Sequence, residues 1–149
     1  MARYIRFYDG TNSINGILSE GSEKDAFIVC HGLAGSASDG EETLVSGDLE
    51  EMGYTTLRVS HITGRKNELL FGSQVRQLVE AVSFLSLDFP AARVHLLGIS
   101  LGASNAIIAG AVDSRVSSVA AIAGIADGET WMRERHGEVY GEFIRQVES

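Results

Sequence analysis

Two short stretches of this chain hold residue types that could carry out acyl chemistry. Gly98-Ile99-Ser100-Leu101-Gly102 has the form G-x-S-x-G and joins the expected strand Arg93–Leu97 to an alanine-rich helix beginning near Leu101. A strand-to-helix turn this sharp holds its central residue in a strained conformation. Glycines two positions to either side let the neighbouring elements approach without a Cβ clash. The strain lifts the Ser100 hydroxyl above the strand ends. The following helix aims its free N–H groups and the positive end of its dipole at the same point. A glycine-rich turn with an incidental serine is the competing explanation.

The second stretch is His31-Gly32-Leu33-Ala34-Gly35-Ser36, directly after the apolar run Ala26–Cys30. Acyl transfer through a serine needs two N–H donors facing the developing oxyanion, one after the nucleophile and one from an earlier loop. Leu101 and Leu33 hold the matching positions, and Gly32 lets the loop fold over the site. His31 is placed to shape this loop by hydrogen bonding rather than to act as a catalytic base.

The elements that must position these stretches follow from periodicity. Tyr4–Tyr8 and Ile14–Leu18, separated by Asp9-Gly10-Thr11-Asn12, form an expected antiparallel hairpin. Ala26–Cys30 is continuously apolar, as a strand covered on both faces must be. Glu41–Met52 is an expected helix closed by Gly53, and Thr55–Ser60 the next strand. Ser73–Leu87 places Val75, Leu78, Val79, Val82 and Leu85 at helical spacing. Arg93–Gly98 is a strand, Leu101–Val112 a helix and Val116–Ile122 a strand. Gly128–Val147 is read as a tail helix with Met132, Val139, Phe143 and Val147 on one side. Alternating strands and helices imply parallel pairing with helices on both faces, and ligands then bind at the carboxyl ends of the strands.

Composition narrows the function classes. The 149 residues fit one domain, and 44% hydrophobic with 21% charged residues is a globular balance. Twelve Lys and Arg against twenty Asp and Glu give a net charge of −8, which repels nucleic-acid phosphates. No apolar stretch reaches about 18 residues, so no membrane span is expected and the chain reads as soluble and cytoplasmic. The single cysteine, Cys30, excludes an internal disulfide and is read as a small buried side chain. A dinucleotide-binding module is disfavoured. Its fingerprint needs glycine where Ser100 stands, and no G-x-G-x-x-G follows the first parallel strand.

The order of hairpin, strand-HGLAGS, helix, strand-RVSHITGR, helix QVRQLVEAVSFL, strand-RVHLLGISLGA and strand VSSVAAIAGIAD resembles the α/β-hydrolase superfamily. In style it is similar to the serine-esterase, dienelactone-hydrolase-like and prolyl-oligopeptidase-like members. The resemblance covers roughly residues 4–127. It implies hydrolysis of an ester, amide or related acyl bond in a small substrate, with Ser100 as nucleophile and the Leu33 and Leu101 N–H groups as oxyanion hole. It implies neither a metal nor an organic cofactor.

In the superfamily an acid and then a histidine follow the serine, usually after the last strands of an eight-stranded sheet. Here six strands are counted, and the usual last two find no sequence. The chain is therefore expected to be a single, C-terminally incomplete hydrolase domain over residues 1–149. Asp127 and His136 would keep the family order, but Asp127 also suits an N-cap of the tail helix, and His136 a surface position. His61 reads as a loop residue, His95 as a satisfied strand residue, and Trp131 and Met132 as packing the tail. Three hypotheses follow: the N-terminal portion of a serine hydrolase, a complete small hydrolase with an improvised triad, or a non-catalytic fragment used for binding or assembly. In the inferred sheet, strand 116–122 is an uncovered edge without charge or proline, so self-association through it is expected.

Overall fold

The computed structural model describes residues 2–10, 13–32, 35–38, 40–60, 71–90 and 92–137, with only the backbone of Phe71, Met132 and His136. Its elements run β1 (Ala2–Tyr8), β2 (Ser13–Ser19), β3 (Asp25–Cys30), α1 (Gly40–Glu51), β4 (Thr55–Ser60), α2 (Phe71–Asp88), β5 (Arg93–Ile99), α3 (Leu101–Val112), β6 (Val116–Ile122) and α4 (Gly128–His136). The strands form one sheet in the order β1-β2-β4-β3-β5-β6. β1 pairs antiparallel with β2 and β2 with β4, while β4, β3, β5 and β6 are mutually parallel. This is the six-stranded, mostly parallel sheet expected from the sequence.

The alternation of side chains explains the two layers of core. Ala26, Ile28 and Cys30 of β3 and Val94 and Leu96 of β5 face α2 and α3, packing with Leu78, Ala81, Val82, Leu85, Ala106 and Ala109. Val29, Leu97 and Ile99 face the other way, against Val45 and Leu49 of α1. Helices thus cover both faces, which is why β3 reads as an unbroken apolar run. Truncating Leu78 or Leu85 to alanine would cost about 2–5 kcal/mol, a large share of an ordinary domain's stability.

Turn chemistry sets the helix ends. After α1, Gly53 takes φ +89°, and the N–H groups of Gly53 and Tyr54 donate to the carbonyls of Glu50 and Leu49. That is a Schellman closure, and it needs the residue without a Cβ. The tail helix is shorter than its periodicity suggested. α4 stops at His136, where Gly137 turns at φ 50° and donates its N–H to Arg133. The remainder of the expected 128–147 helix lies outside the described residues.

β6 is the last strand on its side of the described sheet, and six of its seven residues are exposed. A bulge between Val94 and His95 of β5 shifts the register, so Val94 pairs with Val116 but His95 with Ser118. Among the described residues no helix is long and apolar enough to cross a membrane.

Candidate active site

Ser100 lies between β5 and α3 with φ 55° and ψ −119°, a backbone state that side chains rarely adopt. Two flanking glycines make the turn possible. A Cβ on Gly98 would run into the Gly102 carbonyl oxygen and stand 2.5 Å from the Ala103 nitrogen. One on Gly102 would strike the Cys30 carbonyl oxygen and stand 2.5 Å from that of His31. All of these obstacles are backbone, which cannot swing aside. The Ser100 N–H donates to the Ile122 carbonyl at 2.8 Å, fixing the turn to the end of β6. Leu101 then opens α3 as its first residue and is buried, so its N–H belongs to the helix end nearest Ser100.

The loop after β3 comes close to the same point. A Cβ on Gly32 would stand 3.2 Å from the Ser100 Cβ and 3.7 Å from its Oγ. Gly32 therefore leaves space directly beside the serine hydroxyl. His31 is buried, and its Nδ1 lies 2.6 Å from the Gly32 carbonyl oxygen. Since a carbonyl can only accept, Nδ1 carries the proton and the ring braces the loop. Leu33, the expected second donor, lies outside the described residues, as does His61.

Asp127 caps α4. Its Oδ1 accepts from the N–H groups of Glu129 and Thr130, and its Oδ2 from the Thr130 hydroxyl at 2.7 Å. The Thr130 hydroxyl, with the backbone N–H groups, holds the carboxyl below the usual carboxylate range. The same residue lines a cavity of about 310 Å³ with Ser100, Ala123, Gly124, Ile125 and Trp131. Trp131 thus forms part of this wall rather than only packing the tail. The side chain of His136 lies outside the described residues, although its backbone ends α4.

His95 is engaged elsewhere, toward the start of β5. Its Nε2 is 3.2 Å from Asp25 Oδ1 and its Nδ1 2.8 Å from Ser118 Oγ. The carboxylate can only accept, so Nε2 carries the proton and Nδ1 accepts from Ser118. The Arg93 guanidinium, bonded to both oxygens, and then His95 hold Asp25 below its usual range. Burial pushes the Cys30 thiol well up, and Glu42 adds to the effect. No group of three or more His, Cys, Asp or Glu placed to hold a metal occurs among the described residues.

Two features had little signal in the sequence. Ala123, just after β6, has φ 52°, and Ser104 bonds twice to Ile125. Neither residue type announces such a role. The only hint is that Ser104 follows Ser100 by one helical turn.

No protein-family model matches the chain, and no curated protein matches its sequence. Solved structures do match its fold. An esterase from Pyrococcus furiosus aligns over the whole chain and 63% of its own length, at TM-score 0.80 and 18% identity. A dienelactone hydrolase from Anabaena variabilis aligns over 83% of this chain and 63% of its own, at 0.76 and 22%. An α/β serine hydrolase homologue from Coxiella burnetii aligns over 78% of this chain and 60% of its own, at 0.70 and 17%. The chain spans about three fifths of the length of these structures. Its fold, over that span, is the α/β-hydrolase fold.

Proposed function

We propose that this chain carries the nucleophile and oxyanion side of a serine hydrolase acting on an ester, amide or related acyl bond. The observation that carries the reading is Ser100 itself, a non-glycine residue at φ 55° with the glycine of the β3 loop beside its hydroxyl. Strain of about 1–3 kcal/mol at one residue persists only where the surroundings impose it, and a simple connecting turn has no need of it. In this reading Ser100 Oγ attacks the acyl carbon. The N–H groups of Leu33 and Leu101 receive the oxyanion, and the leaving group departs with a proton. Water then cleaves the acyl-serine.

Attack requires a base to take the serine proton. Asp127 and His136 keep the order expected of an acid and a base, and they are the internal candidates. Both Asp127 oxygens are occupied in capping α4, an observation that favours a second reading: a hydrolase-fold binding or assembly module without turnover. Hydrolysis of p-nitrophenyl acetate by the chain, Ser100→Ala and His136→Ala separates the two. Turnover lost with Ser100→Ala supports the nucleophile, and loss with His136→Ala as well supports an internal base. Without a base, only about 10³–10⁴-fold over water is expected. A rate indifferent to Ser100 refutes the hydrolase reading.

A further inference from the structure

We infer that Ser104 is a positioning residue that sets the length of acyl group the cavity accepts, an inference that rests on Ser100 being the nucleophile. Ser104 is half-buried on α3, one turn beyond Ser100. Its hydroxyl donates to the Ile125 carbonyl at 2.7 Å and accepts the Ile125 N–H at 2.9 Å. One side chain therefore satisfies both backbone groups of a residue that has left the β6 ladder. A strand neighbour would ordinarily meet that requirement.

The stapled segment is the cavity wall. Ala123, Gly124 and Ile125 line the space in which Ser100 sits, with Trp131 among the residues that complete it. Gly124 lies against the first turn of α3, where a Cβ would be 3.3 Å from that of Ala103. Ala123 is held at φ 52°. Its strain is of the same order as the two hydrogen bonds beside it. Removing the staple lets Ala123 relax and the wall move away from the nucleophile.

The cavity is small. About 310 Å³ is at the lower end of ligand pockets, and its lining sets apolar Ala123, Ile125 and Trp131 beside polar Ser100, Asp127, Thr130 and Glu134. Asp127 and Glu134 stand in the same wall, so a carboxylate-bearing acyl group is disfavoured. The ligand class that fits is a short, uncharged acyl group. In such a pocket each methylene changes recognition by roughly 10–200-fold, so a wall displaced by one methylene width is measurable.

Straight-chain alkylboronic acids from methyl to hexyl test this, since they form tetrahedral adducts with a nucleophilic serine and need no turnover. Their dissociation constants would be read by boron NMR for the chain, Ser104→Ala, Ser104→Thr, Ala123→Gly and Ser100→Ala. The unaltered chain should prefer short groups. Ser104→Ala should shrink the hexyl-to-methyl ratio at least tenfold, while Ser104→Thr, which keeps the hydroxyl, retains it. Ala123→Gly loosens the same wall without loss of stability and should shift the ratio in the same direction, even if Ser104→Ala fails to fold. An equal loss at every length in Ser104→Ala, with Ala123→Gly unchanged, would overturn the inference. So would failure of the unaltered chain to bind any of the acids. Adducts that survive Ser100→Ala refute the nucleophile instead, while the length ratio still reports on the wall.

Discussion

Replacing Ser100 by glycine should stabilise the chain relative to Ser100→Ala, although both abolish the hydroxyl. Alanine keeps the Cβ and so keeps the strain of φ 55°, ψ −119°. Glycine releases about 1–3 kcal/mol of it, against about 0.5–1 kcal/mol lost to its greater freedom in the unfolded chain. The net gain is about 1 kcal/mol, or roughly 3 °C in melting temperature for a chain of this size. Gly137 provides the internal control, since it adopts nearly the same state, φ 50° and ψ −121°. Gly137→Ala should move the melting temperature down by a similar amount. Thermal and urea unfolding of the three variants beside the parent would suffice. A Ser100→Gly chain melting at or below Ser100→Ala would mean that the turn is not strained, and the main support for the nucleophile would go with it.

The Cys30 thiol, raised by burial, should resist a disulfide-exchange reagent in the folded chain and react only in denaturant; rapid labelling of native protein would contradict its burial. Stability should hold to about pH 4 and fall below it. Asp113 beside Arg115 and Asp25 beside Arg93 have lowered folded values, so their contribution is present above the usual carboxylate value near 3.9 and lost as pH drops through the folded one. Urea midpoints between pH 6 and 2.5 for the chain and Asp113→Asn check this, with a shallower acid decline expected in the variant. The chain should self-associate through β6, whose outer side has no paired strand among the described residues and which offers Val119 and Ile122 without charge or proline. Sedimentation across a concentration series should show dimer or larger species, reduced in Val119→Lys; a concentration-independent monomer would refute the idea.

Local signals made the elbow and the sheet legible. Ser100 announced itself because glycines at 98 and 102 have a steric purpose that no other residue meets, and that purpose is written in contiguous sequence. The parallel strands showed as apolar runs because both faces are covered. The bulge opposite Val94 and His95 was invisible, since Ser117 differs in no chemical respect from Ser118. The Ser104–Ile125 pair and the buried hydrogen bond from the Asn105 side-chain amide to Gln74 Oε1 join residues 21 and 31 positions apart, and such pairs leave no periodic trace. The apolar spacing of the tail continues past Gly137, whereas the backbone turn that ends α4 at that glycine depends on φ rather than hydropathy.

The unequal insulation of the two sheet faces also bears on how such a site can change. The hydroxyl rides on α3, which is seated in the larger cluster. The Gly32 loop leads toward α1, which rests on the smaller one. Local opening draws on the least buried contacts, so amides of α1 should exchange with solvent before those of β5 and α3. Rewritten sequence on the outer face of α1 can then accumulate at little cost, whereas Gly32, beside Ser100, cannot take a larger side chain freely. The elbow, hemmed in by the backbone of Gly102, Ala103 and Cys30, admits almost no rewriting. The backbone around Ser100 is fixed by geometry, and the helix beyond the Gly32 loop is the part more open to change.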